Sequence, residues 1–555
     1  MPTVSAHVAL TLARHIDHVF GVMGNGNAYF LDALQRQTDA QFTAVRHEAG
    51  GVVAADAYHR ASGRLAAATA TYGAGFTNTL TALAEAVQAH VPLVLVVGDE
   101  PTSGPRPWDV DQIAMASAVG ARTYTVGRAD AAATTIIAIE HALTYRVPTV
   151  LAIPYDVAQR DAGPVPEAPE PRLPAAFEPA GSFAQGAIAS LASTLADARR
   201  PFLLAGRGAW ISGADPALAE LADLTGAVTA STALGRGIFP RAEFDLGVTG
   251  GFGAAGAMDL VRQADVVVVF GASLNQFTMR FGDLFAPGTR VFQVDVAPAA
   301  THPHVGGFVR GDAAVVASAL VGALRAQGAA PSGWRESVDL MPLREYDPGD
   351  DLAPDGRLDP RSVAARIGAL LDSTASTADR VVVSDGGHFI GWANMYWPVA
   401  SPDRMMMVGT AFQSIGLGWP SVAGAALAKP GSTVVLTTGD GGGLMALADL
   451  ETAVRVAGGR GMAVVWNDAA YGAEVNLYGL KGLAREPMLI PEVDFAALAG
   501  GVGAEGVVVQ TLADLDRLAA WAAEPVDARR FLVLDCRISG EVIAPYQQEI
   551  VRVNS

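Results

Sequence analysis

The sequence has almost no cysteine and a shortage of positive charge. Cys536 is the single cysteine in 555 residues, which excludes a disulfide framework within the chain and cysteine-based zinc or iron–sulfur sites. Its 38 basic and 56 acidic residues give a net charge of −18. This charge argues against a nucleic-acid or anionic-membrane surface, since both need clustered Lys and Arg.

Long hydrophobic runs are also missing. Stretches such as 91–97 and 266–270 are far below the ~20 residues that a membrane span needs. The N-terminal segment has neither the uninterrupted apolar core nor the small-residue cleavage site of a signal peptide. We therefore expect a cytoplasmic protein that binds neither membrane nor nucleic acid.

What the chain does contain is hydrophobic material in a regular alternation. Half of the residues are hydrophobic, enough for several buried cores, and the length suggests three or four domains. Short Val, Ala, Leu and Thr runs end at Gly or Asp, and longer Ala/Leu-rich amphipathic stretches follow them. Continuous apolar strands separated by helices are typical of parallel sheets covered on both faces, so the predicted fold class is α/β.

Two irregular segments interrupt this alternation. Residues 160–182 are rich in Pro and Glu and are predicted to form an extended linker. Residues 327–360 are charged and punctuated by Pro. The two segments divide the chain into three predicted domains, each a mostly parallel sheet with helices on both faces: residues 1–160, 183–327 and 360–555.

The strongest chemical signal lies at two consecutive strand ends. STVVLTTGD predicts a strand ending at Asp440, GGGLMALADLETAVRVAG a helix, and GMAVVWN a strand ending at Asn467, 27 positions after Asp440. Parallel strands bring these ends to the sheet edge where α/β ligands bind, beside helix N–H groups free for phosphate. Because Mg²⁺ prefers oxygen ligands and bridges protein to diphosphate, Asp440, Asn467 and the Ala469 carbonyl are predicted metal ligands. Taken alone, Gly-Asp-Gly would equally suit an ordinary helix start.

These motifs resemble those of the thiamine-diphosphate-dependent superfamily of acetolactate synthase, benzoylformate decarboxylase and pyruvate decarboxylase. That superfamily carries Gly-Asp-Gly, a helix and then Asn at about this distance, and the blocks 18–34, 44–63 and 72–99 also fit it. The resemblance covers essentially the whole chain. It implies a pyrimidine-binding, a central Rossmann-like and a diphosphate-binding domain, the cofactors thiamine diphosphate and Mg²⁺, and a homodimer or homotetramer with active sites between subunits.

The resemblance gives Glu48 the role of the family glutamate that hydrogen-bonds N1′ of the aminopyrimidine, with Asp440 supplied by another subunit. A carboxylic acid there favours the imino tautomer, whose nitrogen can take the proton from the thiazolium carbon. By itself, Glu48 would also suit a helix N-terminus. Ile415 matches the aliphatic wedge under the cofactor, with a core position as the alternative. Further implied cofactor contacts are Gly73, Asn78, Gly409, Thr410, Gly439, Gly441, Gly442, Tyr471 and Gly472.

Five side chains are candidates for contact with the substrate. Asn25 and Gln112 match family positions near substrate and thiazolium, with a solvated loop as the alternative for Gln112. His90 precedes the strand VPLVLVVG, and an imidazole at this position could relay protons, or His90 could be a structural helix-end residue. His388 and Glu474 follow strand ends and are predicted to face the substrate pocket, with a loop His and a first-turn acid as alternatives.

The central domain offers a GxGxxG match at residues 251–256 that we interpret as a loop. The segment before it makes a poor strand, and no acid ends a second strand about 20 residues on, as a dinucleotide fingerprint requires. Full acetolactate synthases bind FAD in this domain through an Arg-Phe-Asp-Asp-Arg-like segment. Ser273 and Leu274 stand there instead, which leaves FAD uncertain.

The sequence therefore predicts a thiamine-diphosphate- and Mg-dependent 2-oxo acid decarboxylase or carboligase, acetolactate synthase-like, acting on a small 2-oxo acid or carbonyl substrate. The alternative is a benzoylformate decarboxylase-like enzyme or a 2-hydroxy ketone lyase with a non-pyruvate substrate. A non-catalytic α/β binding protein is a third hypothesis. The joint presence of Glu48, Asp440, Asn467 and Ile415 disfavours it, because binding alone does not need the N1′ glutamate.

Overall fold

The computed structural model describes residues 2–167 and 169–554, and it contains three six-stranded sheets in succession along the chain. Every pairing between strands in these sheets is parallel. Their central strands are buried from end to end, because helices cover both faces. The predicted α/β class with three parallel sheets is confirmed.

The first sheet has the strand order β2-β1-β3-β4-β6-β5. Its strands are β1 (His18–Gly21), β2 (Gln41–Ala44), β3 (Ala67–Ala70), β4 (Val94–Asp99), β5 (Arg122–Thr125) and β6 (Thr149–Pro154). The helices around it are α1 (Val4–Leu12), α2 (Ala28–Gln37), α3 (Glu48–Ser62), α4 (Ala74–Thr77), α5 (Leu80–Gln88), α6 (Gln112–Ala118) and α7 (Ala131–Tyr145).

The second sheet has the order β12-β11-β10-β7-β8-β9, which is the 3-2-1-4-5-6 order of dinucleotide-binding folds read from its other edge. Its strands are β7 (Pro201–Ala205), β8 (Val228–Ser231), β9 (Asp245–Val248), β10 (Val266–Phe270), β11 (Arg290–Asp295) and β12 (Val305–Arg310). Its helices are α8 (Gly181–Ala196), α9 (Arg207–Ile211), α10 (Asp215–Thr225), α11 (Ala255–Val261) and α12 (Ala313–Ala326).

The third sheet, β14-β13-β15-β16-β18-β17, repeats the strand order of the first. Its strands are β13 (Arg380–Ser384), β14 (Met405–Met407), β15 (Thr433–Gly439), β16 (Gly461–Asn467), β17 (Glu505–Val509) and β18 (Leu532–Arg537). Its helices are α13 (Pro360–Asp372), α14 (Ala375–Ala378), α15 (Ile390–Tyr396), α16 (Gly418–Ala428), α17 (Asp440–Met445), α18 (Leu450–Ala457), α19 (Gly472–Glu474), α20 (Phe495–Gly501), α21 (Asp516–Ala523) and α22 (Pro545–Asn554).

The single helix predicted after Asp440 is in fact two helices. A short 3₁₀ turn separates α17 from α18, and its buried Asp449 accepts a hydrogen bond from the Arg46 N–H at 2.8 Å. Arg46 belongs to the first sheet's domain, so tertiary packing breaks a helix that the apolar pattern would continue. The predicted domain boundaries stay a prediction.

The first and third sheets' domains share one hydrophobic core. Helix α3 packs along α16, and the same buried cluster contains Val52 and Tyr58 from one helix and Trp419 and Val422 from the other. This packing fixes the two domains against each other within the chain. None of the helices in the described residues is long and apolar enough to cross a bilayer.

Candidate active site

Asp440 is a buried carboxylate that the protein leaves half unpaired. It follows the last residue of β15, begins α17 and is 3% exposed. Its Oδ1 accepts the Gly441 N–H at 2.8 Å, whereas Oδ2 has no hydrogen-bond partner among the described residues. Burial, reinforced by the nearby charge of Asp468, raises the pKa of Asp440 to about 7. An unpaired buried oxygen is costly unless a cation or a proton occupies it.

Asn467 presents a second unpaired oxygen at the neighbouring strand end. Strands β15 and β16 are adjacent, with Gly439 opposite Trp466, so the residues that follow meet at one edge. The Asn467 Nδ2 donates to the Val493 carbonyl at 3.0 Å and to Asp535 Oδ1 at 2.9 Å. These bonds fix the amide so that its Oδ1, fully buried, is left without a partner in the described structure.

Ala469, the third predicted ligand, has a left-handed backbone at φ 59°. Its carbonyl accepts the Ile490 N–H at 2.9 Å and keeps a second lone pair for a cation. Groups of three or more His, Cys, Asp or Glu arranged for a metal are absent from residues 2–167 and 169–554. The available donors are a carboxylate, an amide and a carbonyl, a set that suits Mg²⁺ better than zinc.

Glycine allows the segments of this edge to approach closely. A Cβ on Gly442 would lie 2.7 Å from Asp385 Oδ2, and the Tyr471 ring lies against Gly441. The structure thus brings together the C-terminal residues predicted to hold cofactor or metal, namely Gly439, Asp440, Gly441, Gly442, Asn467, Ala469, Tyr471 and Gly472.

Asp385 is a site residue that the sequence prediction missed. Its carboxylate, fully buried at the end of β13, accepts the N–H groups of Gly386 at 2.8 Å and of Gly416 and Leu417 at 3.1 Å. It also accepts the Thr438 hydroxyl at 3.0 Å. Burial raises the pKa of Asp385 to about 6. The signal was present in the SDGG segment, where an acid ends an apolar strand just as Asp440 does.

His388 lies at the same edge in an ion pair with Asp468, another residue that the prediction missed. Its Nε2 is 3.0 Å from Asp468 Oδ2, and the Asp468 side chain is 1% exposed. Burial lowers the pKa of His388, but the charges of Asp468, Asp440 and Glu474 outweigh burial and leave that pKa above its ordinary value. The two predicted pocket residues, His388 and Glu474, therefore lie close enough to interact by charge, and Asp440 acts on His388 in the same way.

Glu48 lies at the carboxyl edge of the first sheet. It is the first residue of α3, is partly exposed, and its Oε2 accepts the Asn78 Nδ2–H at 2.9 Å. Gly75 stands directly against its other oxygen. Gly73, at φ 61°, donates its N–H to Gln112 Oε1 at 2.9 Å. The loop 73–78 thus lies against Glu48, and its contact with the cofactor stays a prediction.

Gln112 is hydrogen-bonded to this loop through Gly73, and its side-chain amide has no free N–H for a ligand. The side chain is 4% exposed, and its Nε2 donates to the Gly98 carbonyl at 3.0 Å and to Asp99 Oδ1 at 3.1 Å. This buried position differs from the solvated-loop alternative, and the predicted place near the thiazolium stays a prediction. Asn25, exposed in the loop after β1, donates to the Tyr72 hydroxyl at 3.0 Å.

His90 lies at the opposite edge of the first sheet. It stands between α5 and the start of β4, whereas Glu48 and Gly73 follow the ends of strands. Its side chain is exposed and its φ is 54°. Its backbone N–H donates to the Val87 carbonyl at 3.1 Å. Six-residue β4, at ~3.3 Å per residue, separates the edges by roughly 20 Å. The prediction that His90 faces the site around Glu48 is contradicted, and the helix-end alternative describes it.

The loop after β14 carries the remaining predicted cofactor contacts. Gly409 has φ 102° and its carbonyl accepts the Ser414 N–H at 2.8 Å, a tight turn that a side chain would strain. The Thr410 hydroxyl donates to the Met407 carbonyl at 3.2 Å. Ile415 is partly exposed, which differs from the alternative of a core isoleucine.

Two backbone N–H groups at the first turn of the central domain are already bonded within the protein. The GxGxxG stretch follows the edge strand β9, while the first strand of the dinucleotide order is β7. After β7, the Gly206 and Gly208 N–H groups donate to the Phe270 and Gly271 carbonyls at 2.9 Å each. Leu274 is buried. The Gly206 and Gly208 N–H groups are therefore not available to the phosphates of FAD.

A cavity of about 650 Å³ opens between the central and third domains. Arg280, Tyr346, Tyr396 and Tyr546 are among its lining residues, and the Tyr546 hydroxyl donates to the His388 carbonyl. The cavity therefore adjoins the His388 loop, on the side of the C-terminal segment.

Three family descriptions match the chain in succession. Residues 2–117 match "Thiamine pyrophosphate enzyme, N-terminal TPP binding domain", residues 188–320 match "Thiamine pyrophosphate enzyme, central domain", and residues 385–536 match "Thiamine pyrophosphate enzyme, C-terminal TPP binding domain". The matches follow the three sheets in chain order, and β5, β6 and β13 lie outside the matched residues.

Named relatives align along most of the chain. The sulfoacetaldehyde acetyltransferase of Roseovarius nubinhibens is 27% identical over 586 residues, covering 100% of this chain and 94% of that protein. The acetolactate synthase large subunit of Parasynechococcus marenigrum is 28% identical over 528 residues, covering 91% and 84%. The acetolactate synthase large subunit of Mycobacterium tuberculosis is 28% identical over 517 residues, covering 89% and 81%.

Proposed function

Because the chain belongs to the thiamine pyrophosphate enzyme family and forms or cleaves C–C bonds with that cofactor, we propose that it is a magnesium-dependent 2-oxo acid decarboxylase or carboligase of the acetolactate synthase type. The observation that carries the magnesium assignment is the pair of buried, unpaired oxygens on Asp440 and Asn467. Its substrate is a small 2-oxo acid or carbonyl compound.

When bound, thiamine diphosphate supplies a nucleophilic carbon and an electron sink for cleavage beside a 2-oxo acid carbonyl. Asp440, Asn467 and the Ala469 carbonyl would hold Mg²⁺ at the diphosphate. Glu48, oriented by Asn78, would hold a proton at N1′ of the aminopyrimidine. Gly409, Thr410 and Ile415 would contact the organic rings.

We place the substrate next to His388 and Glu474, close to the metal ligands. The decarboxylase or lyase alternative, with a substrate other than pyruvate, retains His388 as its supporting observation. A protonated imidazole beside Asp468 can supply the proton that the reacting carbon must take up when a free aldehyde is released. His90 no longer supports that alternative.

The assignment implies an assembly and domain limits that we also propose. Glu48 and Asp440 would meet across subunits of a homodimer or homotetramer in the cytoplasm. The pyrimidine-binding, central and diphosphate-binding domains would span residues 1–160, 183–327 and 360–555.

A substrate panel tests the proposed function. Protein loaded with thiamine diphosphate and Mg²⁺ is given pyruvate, larger 2-oxo acids and sulfoacetaldehyde with pyruvate, while CO₂, free aldehyde and condensed products are measured. CO₂ together with a condensed product supports the carboligase, and CO₂ with free aldehyde alone supports the alternative. Thiamine diphosphate that fails to bind would refute both.

A further inference from the structure

Three charged side chains are buried together where the first domain meets the third. The side chains of Arg60, Asp56 and Glu85 are 4%, 2% and 1% exposed. The Arg60 guanidinium donates to both Asp56 oxygens, and its Nη2 donates to Glu85 Oε1 at 3.2 Å. Burying such a network has a large desolvation cost, so its presence is weak evidence of a contribution to stability.

The network also reaches across the domain boundary. Arg60 Nη1 donates to the Met407 carbonyl at 3.2 Å, and Glu85 Oε2 accepts the Phe412 N–H at 2.7 Å. Met407 ends β14 and Phe412 lies five residues further on. The two contacts therefore bracket Gly409 and Thr410.

The other end of this loop is held from within the third domain. Asp385 accepts the N–H groups of Gly416 and Leu417, directly after Ile415. Residues 407–417, here called the ring loop, are thus tied by charged groups at both ends, while Phe412 is 49% exposed between them. Hydrogen bonds to charged groups are among the stronger ones, and losing one leaves a buried charge short of a partner.

We infer that Arg60 and Glu85 of the first domain are positioning residues that hold the ring loop in the conformation that receives the cofactor rings. The inference rests on the proposed function for the role of Gly409, Thr410 and Ile415. It assigns the first domain two tasks, since Glu48 would serve one active site while Arg60 and Glu85 shape the loop of their own chain.

The test is amide hydrogen exchange of the cofactor-free protein. Glu85→Gln removes the charge that Phe412 and Arg60 share, so exchange within residues 407–417 should rise on the order of 10-fold while helix α16 stays protected. Affinity for thiamine diphosphate, measured by calorimetry, should fall by a similar factor. Asp56→Asn is the comparison variant, because Asp56 is equally buried but reaches the loop only through Arg60, so a smaller rise is expected while Glu85 keeps its bond to Phe412.

Two outcomes would overturn the inference. One is unchanged exchange of the ring loop in folded Glu85→Gln, and the other is an equal rise in Asp56→Asn. If Glu85→Gln does not fold, Glu85→Asp keeps the charge but shortens its reach to Phe412, and the same exchange rise is expected. Failure of the wild-type protein to bind thiamine diphosphate would instead refute the proposed function and leave the exchange result standing.

Discussion

The first and third sheets have the same strand order, but the polar side chains at their carboxyl edges differ in how fully they are hydrogen-bonded. At the first edge, Glu48 and Gln112 are bonded to neighbouring groups of the protein. At the third edge, the Asp440, Asn467 and Asp468 side chains each keep a buried oxygen without a partner in the described structure. The first edge thus holds these polar side chains by bonds within the protein, whereas the third edge has buried oxygens that a cation would pair.

Removal of the cation should give the largest effect. Chelator-stripped protein should lose nearly all turnover and recover it only when thiamine diphosphate and a divalent cation are both restored, since we propose that Asp440 and Asn467 hold the metal that binds the diphosphate. Turnover of stripped and reloaded samples is the measurement. Full activity in thoroughly stripped protein would contradict the claim that the third edge needs a cation.

Glu48→Gln should damage the first edge alone. Glutamine keeps the size and a hydrogen bond to Asn78 but cannot supply the proton at N1′, so we expect a turnover loss of roughly 10²-fold or more with cofactor affinity within a few-fold. Steady-state kinetics and calorimetry on the same preparation separate the two. Wild-type turnover in this variant would remove Glu48 from the chemistry.

Metal binding at the third edge should depend on pH. The pKa of Asp440, about 7 in the metal-free fold, lies above the ~3.9 of an ordinary Asp, so protons compete with Mg²⁺ below pH 7. Apparent Mg²⁺ affinity should fall ~10-fold per pH unit there and level off above pH 7.

The same raised pKa has a consequence for the metal-free fold. Between pH ~4 and 7, the folded protein binds a proton that the unfolded chain has released, so this carboxyl contributes less stability as pH rises. For the metal-binding prediction, an Mg²⁺ affinity that stays constant from pH 5 to 8 would contradict the assignment of Asp440 as a metal ligand.

Sequence patterns predicted features that depend on strand direction. Asp440 and Asn467 could be brought together because each ends an apolar run, and parallel strands share their carboxyl edge. By the same rule His90 lies at the amino edge of the sheet, away from Glu48, because it precedes β4. Contacts between distant segments were out of reach, because the buried bonds of Gln112 and Asp385 join residues that no periodicity links.

His90→Ala should have the smallest effect on turnover. The imidazole is exposed at the amino edge of the first sheet, so turnover and cofactor affinity should stay within about twofold of wild type. At φ 54°, His90→Gly should be more stable than His90→Ala by up to ~1 kcal/mol, because glycine adopts this backbone without strain. Thermal unfolding of the two variants measures the difference. A turnover loss of ~10²-fold in His90→Ala would instead support a proton-relay role for His90.

The most direct test of the division between the edges is calorimetric titration of Mg²⁺ into stripped protein at saturating thiamine diphosphate, comparing wild type with Asp440→Asn and Glu48→Gln. Asp440→Asn keeps the shape but removes the charge at the unpaired oxygen, so Mg²⁺ affinity should fall at least ~10-fold, as loss of a charged ligand implies. Glu48→Gln should bind Mg²⁺ like wild type. Equal Mg²⁺ affinity in wild type and Asp440→Asn, or an equal loss in both variants, would contradict the account.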